Sequence, residues 1–313
     1  MTSARTRGLA VASAPAVFVL LWSTGFVGAK YGLPYAEPFT FLALRLAVAS
    51  VLLGLLAALL RSPAPRGRAQ HGHAAVVGVL LHAGYLGGVF WAIDHGVPAG
   101  VSAVVVSLQP VLVAALATRL LGEPLRRLQW LGLALGVVGV GMVLAPGLLA
   151  TAGVSFPPAG VASCLVALAA GTGGTLYQKR HGGGIPLLSG TAVQYAAAAG
   201  LLLLLALATE TGDVDWTPEF AGALAWLVLV LSLGAVLLLL ALLRRGSAAR
   251  VSSLFYLVPP ATAVEAYLLF GEELPPVALL GVVVVAVGVA LVLRTSPAPD
   301  RTAVTSSAGS GRA

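Results

Sequence analysis

An all-α integral membrane protein, with ten transmembrane helices arranged as two inverted five-helix repeats, is the fold class this sequence predicts. Three observations carry the expectation. The composition is too apolar for a soluble fold of this length, basic residues fall on one side of ten apolar stretches, and the chain resembles itself at an offset of 149 residues.

Of the 313 residues, 58% are hydrophobic and 9% charged, against about 25% charged in ordinary soluble domains. Mean hydropathy is +0.97. A helix that crosses a bilayer needs about 20 predominantly apolar residues. That ruler places spans at 9–29, 38–60, 74–93, 98–118, 127–146, 156–178, 185–208, 219–243, 248–270 and 275–294. Arg5, Arg7 and the apolar run after them imitate a secretory signal. The run continues through LLWSTGFVGAK, however, and has a partner in the second half of the chain, so it is read as the first span. Residues 1–8 are then an N-terminal cytoplasmic tail, 9–146 and 156–294 the two repeats, and 295–313 a tail with the composition of disordered chain. Cys164 is the single cysteine, which excludes an intrachain disulfide.

Charge placement sets the topology. With the N-terminus in the cytoplasm, sixteen Lys and Arg fall in inner segments, Lys30 alone lies outside, and Arg45 lies within the second span. This is the positive-inside bias. It accounts for the basic balance without nucleic acid as a partner. Both termini are expected in the cytoplasm and the protein in the plasma or inner membrane.

The repeat is anchored by rare residues. GEPLRRLQWLGLALGVVGVGMVL (122–144) falls on GEELPPVALLGVVVVAVGVALVL (271–293) with 10 of 23 positions identical. The same offset sets Pro110 on Pro259, Glu123 on Glu272, Lys30 on Lys179, Ser23 on Thr172, Gly25 on Gly174 and Arg45 on Gln194. Five is an odd number of crossings, so the second copy starts from the opposite side and must be inverted. Inverted repeats are a common transporter architecture, with the substrate near the midplane between the halves.

Three stretches carry a family resemblance: LLWSTGFVGAKYGLPYAEPFTFLALR (20–45), SLQPVLVAALATRLLGEPL (107–125) and LVPPATAVEAYLLFGEEL (257–274). They resemble the drug/metabolite transporter superfamily in its ten-helix EamA-like branch, over roughly residues 9–294. The resemblance implies a secondary carrier, often an exporter, of amino acids and other small metabolites. It also implies a cavity lined by helices one to four and six to nine, with five and ten peripheral. An integral-membrane enzyme or a scaffold without transport is the alternative, but paired acids or a His/Asp cluster at one depth are missing.

Polar residues inside the spans are the site candidates. Pro110, Pro259 and Pro260 each withdraw a backbone donor from the carbonyl four residues back, and read as kinks, as cavity lining, or both. Arg45 and Glu265 are the two charges clearly inside spans, each on the order of 10 Å from the outer boundary. They read either as an ion pair locking helix two to helix nine, or as a carboxylate-binding arginine and a proton-titrating acid. His82 is either a satisfied core histidine or a coupling group. Trp22, Tyr85, Tyr195 and Tyr256 are candidates for an aromatic wall, with Gln109 and Gln194 as polar neighbours. The glycines of WSTG (22–25) and GTGG (171–174) read as close helix contacts. Glu123 and Glu272 read as caps of the helices that follow them. Neither a metal nor a cofactor is called for. The expected partners are the bilayer and a small-molecule substrate, with a proton as a further option. The functional unit is expected to be a monomer or a weak homodimer.

Overall fold

The computed structural model describes residues 2–120, 127–150, 155–235, 238 and 253–294, with backbone alone for 2–15, 118–120, 253, 256 and 292–294. Among these residues all regular structure is helical, apart from one isolated antiparallel bridge between Ala36 and Val214. The helices are α1 (Thr2–Gly32), α2 (Pro38–Leu59), α3 (Gly67–Asp94), α4 (Ala99–Val106 continued by Gln109–Leu120) and α5 (Arg127–Leu148). They are followed by α6 (Pro158–His181), α7 (Leu187–Thr209), α8 (Pro218–Ala235), α9 (Ser253–Leu257 continued by Val258–Phe270) and α10 (Pro276–Arg294).

Eight helices, α1 to α8, are long and apolar enough to cross a membrane. The apolar stretch Pro276–Leu291 of α10 and the 13-residue part of α9 are shorter. Where ten spans were expected, eight therefore meet the length criterion among the described residues. The start of span nine, the end of span eight, the caps at Glu123 and Pro124, and the tail 295–313 lie outside those residues. Large apolar side chains cover the outside: Leu59 is 80% exposed, Leu207 75% and Leu268 71%. Such a surface is stable only against lipid tails.

Local chemistry explains the boundaries. Pro38, Pro158, Pro218 and Pro276 each open a helix, where the missing N–H would be unpaired anyway. Thr217 caps α8, its hydroxyl accepting from Phe220 N at 3.2 Å. Gly271 ends α9 with φ +65°, the left-handed conformation that glycine adopts without a Cβ penalty.

Four helices depart from regular geometry. In α3 a π-helical turn occupies Val79–Gly84, and in α8 another occupies Trp226–Ala235. Adding 149 to the first gives 228–233, inside the second. The third departure is at Ser107 and Leu108 in α4, just ahead of Pro110, which has no N–H to continue the ladder. A 3₁₀ turn, Ser253–Leu257, sits at the corresponding place ahead of Pro259 in α9.

The bundle pairs α2 with α7 and α5 with α10 along their lengths. It also sets α1 against α8 and α9, α3 against α6 and α7, and α4 against α6 and α9. Glycines bring α5 and α10 together. A Cβ on Gly281 would stand 2.7 Å from Gly139 O, and one on Gly288 would stand 2.7 Å from Gly132 O. The WSTG and GTGG glycines do the same work, with Gly25 under Leu231 of α8 and Gly174 under Leu81 of α3. Gly281→Val is expected to destabilise the bundle by about 1–3 kcal/mol through overpacking. Gly141→Ala, with nothing within 4 Å of the new carbon, should be neutral. Melting temperatures in one detergent would check the contrast.

One end of the bundle is laced by loop contacts. Glu210 accepts from Phe39 N and Thr40 N at 2.7 Å each, capping α2 from the end of α7. Glu37 answers by accepting from Thr211 N at 2.7 Å and from Gly212 N at 3.2 Å. The Thr211 hydroxyl and these amides hold the Glu37 carboxyl below its ordinary range, outweighing a small opposing effect of desolvation. A depressed carboxylate adds stability above its unfolded pKa and loses it as pH falls through its folded one. Acidification below the normal carboxylate range is therefore expected to loosen this clamp, visible as faster amide exchange at Thr211 and Gly212. The effect should be small, because Glu37 keeps part of its surface in solvent, which screens it.

Candidate functional site

A cavity of about 410 Å³ lies inside the bundle, walled by residues of α1–α4 and α6–α10. Of the site candidates singled out in the sequence, Trp22, Arg45, His82, Tyr85, Gln109, Pro110, Tyr195 and Pro259 face it.

Arg45 is 4% exposed. Its Nε donates to Ser232 Oγ at 3.3 Å, and Ser232 in turn donates to Leu227 O at 2.9 Å. That second bond spans five residues and belongs to the π turn of α8, which turns the serine toward the arginine. His82 comes from the other π turn. Its Nε2 lies 3.3 Å from Gln194 Oε1, and its ring meets Tyr195 edge-on at 4.6 Å. Gln194 itself is buried but is not a wall residue; it orients His82. Gln109 donates to Gly171 O at 3.1 Å and Thr175 Oγ1 at 2.7 Å, tying the broken α4 to α6. Gly171 is also where Tyr85 packs, since a Cβ there would meet Tyr85 Cδ2 at 2.8 Å. At the other side of the wall Trp22 forms an aromatic cluster with Phe18 and Phe255, with centroids 5.0–5.2 Å apart.

Glu265 is elsewhere. Its Oε1 accepts from Ser23 Oγ of α1 at 2.7 Å, and its Oε2 is buried with no hydrogen-bond partner among the described residues. The expected ion pair between Arg45 and Glu265 is therefore not formed: the acid faces α1 and the arginine faces α8. Similar depth along two helices does not imply similar direction around them. Pro260 is not among the wall residues. The side chain of Tyr256 lies outside the described residues.

Glu272 also differs from its expected role. It does not cap the helix that follows it. Its carboxylate pairs with Lys30 at the end of α1 and accepts from Ala99 N at 3.2 Å and Gly100 N at 3.5 Å, capping α4. Lys30 also sits 4.7 Å from the Phe270 ring centroid. A negative group at this helix N-terminus is electrostatically favourable.

Several wall residues carried little sequence signal. Ser232 was detectable as the lone hydroxyl in LVLVLSLGAV. Phe255 and the α10 residues Val282, Val285, Ala286 and Val289 were not, since an apolar wall and a lipid face look alike. Helix ten was expected at the periphery, yet these residues bring it into the wall; α5 contributes none.

Among the described residues no group of His, Cys, Asp and Glu could hold a metal ion. The model of the EamA-like transporter family matches residues 9–145 and 158–294. The chain is 27% identical over 291 residues to the uncharacterized transporter YvbV of Bacillus subtilis, covering 92% of this chain and 93% of that one. It is 30% identical over 275 residues to the uncharacterized inner membrane transporter YedA of Escherichia coli K12, covering 87% of each. It is 31% identical over 294 residues to a probable terminal-alkyne amino-acid exporter of Streptantibioticus cattleyicolor, covering 92% and 94%. A solved crystal structure shares the fold with a TM-score of 0.60, at 22% identity over 89% of this chain and 94% of that one. This multi-pass membrane protein belongs to the EamA-like transporter family of the drug/metabolite transporter superfamily.

Proposed function

We propose that the protein is a secondary carrier that exports small metabolites, amino acids among them, by alternating access. The observation that carries this reading is the cavity inside the bundle, walled from both halves of the chain and holding one buried arginine. A relative named as a probable amino-acid exporter supports the substrate range.

Alternating access rests on two five-helix units, 9–146 and 156–294, inverted across the membrane. The family match supports this, since it occurs twice at a spacing of 149 residues. So does the pairing of helices. Exchanging α1 with α6, α2 with α7, α3 with α8, α4 with α9 and α5 with α10 turns the α3–α6 contact into α8–α1, and the α1–α9 contact into α6–α4. It leaves α2–α7, α4–α9 and α5–α10 unchanged. A two-fold axis in the membrane plane has this property, and it makes the two opposite-facing packings near-equivalent. The basic residues between spans support cytoplasmic termini. Where the cycle uses a proton, Glu265 is the group that carries it.

Reconstitution into liposomes with a panel of labelled amino acids and organic acids, with and without a pH gradient, tests the reading. Saturable counterflow of at least one compound is the expected result. Its absence across the panel, with a correctly folded and oriented protein, would refute carrier function for those classes.

A further inference from the structure

We propose that the cavity recognises a small carboxylate with an apolar or aromatic body, the carboxylate seated on Arg45 and the body against Trp22 and Phe255. The inference rests on the carrier reading above and names the substrate class of that site.

The charge inventory comes first. Among the described residues Arg45 is the one permanently charged side chain in the cavity wall, and none of the lining residues is Asp or Glu. Arg45 forms no salt bridge, and Ser232 Oγ is its one hydrogen-bond partner among the described residues. Nε uses one of the five guanidinium N–H groups. The terminal nitrogens remain, on a side chain that is 4% exposed and lines the cavity. A guanidinium presents paired donors in a plane, the geometry that matches a carboxylate in two bonds. A buried cation is unfavourable until paired, so an incoming anion gains what a cation would lose.

The remaining wall defines the body of the ligand. Trp22 and Phe255 meet edge-on at 5.0 Å with Phe18 behind them, and Phe90, Leu231 and the α10 valines are apolar. Of the other polar side chains in the wall, Gln109 holds Gly171 and Thr175 and His82 is engaged with Gln194, while Tyr85 and Trp22 each offer one hydrogen-bonding group. A second carboxylate or a hydroxylated tail therefore finds few partners. An α-ammonium is tolerated, since Pro110 and Pro259 leave the carbonyls of Val106 and Phe255 without a helical donor, and both residues line the cavity. The repeat mate of Arg45 is Gln194, so the cation is not required by the symmetry of the fold.

The test uses the full chain purified in detergent and measures binding by thermal shift and calorimetry. The probes are phenylalanine, 3-phenylpropionate, phenylalanine methyl ester and phenethylamine. The two carboxylates should bind about tenfold to a hundredfold more tightly than the ester and the amine, the range that one charge-assisted pair supplies. In Arg45→Gln that preference should fall to near unity. Trp22→Ala should weaken all four probes while keeping the preference, and it remains informative if the arginine variant does not fold. Equal binding of ester and acid by the wild-type chain overturns the assignment, as does a preference that survives Arg45→Gln. Binding and transport separate the two readings. Carboxylate-selective binding without counterflow in liposomes would keep this site and remove the carrier. Counterflow without selectivity would do the reverse.

Discussion

Glu272→Ala is expected to open the Lys30 face of the bundle. One carboxylate there holds the end of α1 through Lys30 and the start of α4 through Ala99 N and Gly100 N, from its own place after α9. The acid side chain is 9% exposed and its lysine partner 33%, so solvent screens the pair only in part. Losing a charge-assisted bond and a helix cap removes about 2 kcal/mol. In a two-state equilibrium that shifts the ratio by about thirtyfold. The readout is a cysteine at Ser107, a wall residue, in a Cys164→Ser background, labelled by a membrane-impermeant maleimide from the Lys30 side. Labelling should rise several-fold in Glu272→Ala. Lys30→Ala should act in the same direction but less, since α4 keeps its cap. A lower melting temperature with unchanged labelling would assign the cluster a purely structural role.

Glu265→Gln is expected to abolish the pH dependence of transport while leaving the fold intact. The argument is a proton count. Ser23 Oγ lies 2.7 Å from Glu265 Oε1 and 2.9 Å from Leu20 O, but a hydroxyl has one proton to give. With a neutral acid, Glu265 donates to Ser23 and Ser23 donates to Leu20 O, so both bonds form. With a carboxylate, one of the two acceptors goes without. The elements packed on α9 bring little charge to oppose this. Lys30 on α1 is held by Glu272, the Ala99–Val106 segment of α4 has no titratable group, and α10 has none before Arg294. Tyr267 lies on α9 itself. Glutamine reproduces the neutral acid, so Glu265→Gln should melt close to wild type. Glu265→Leu leaves the Ser23 hydroxyl with Leu20 O alone and should melt similarly while also losing the pH response. A single-proton site changes rate by up to about tenfold per pH unit. A glutamine variant whose rate–pH curve parallels the wild type would remove Glu265 from coupling.

Much of this arrangement was readable from the chain because a polar or kinked residue in an apolar span needs a reason. Trp22, Arg45, His82, Gln109, Pro110 and Pro259 stood out on that ground, and all reach the cavity. What failed was direction around a helix axis. Arg45 and Glu265 share a depth, and depth follows from counting residues at 1.5 Å each. Azimuth depends on how each helix is rotated by its neighbours, and a π turn changes that rotation in α8. Sequence proximity misled in the same way at Glu272, whose partners are α1 and the start of α4. The valines of α10 failed for a different reason: nothing distinguishes a methyl group facing a cavity from one facing lipid.

The paired π turns of α3 and α8 hold one further consequence. Each places more residues in a turn than the 3.6 of an ordinary helix, and each delivers a cavity residue, His82 in one and Ser232 in the other. Removing one amino acid from either would let the turn rewind to an ordinary α-helix and would take away the local geometry that delivers His82 or Ser232. The two turns overlap when one half of the chain is set on the other at an offset of 149 residues, so the same deletion is expected to dislodge a wall residue from either half.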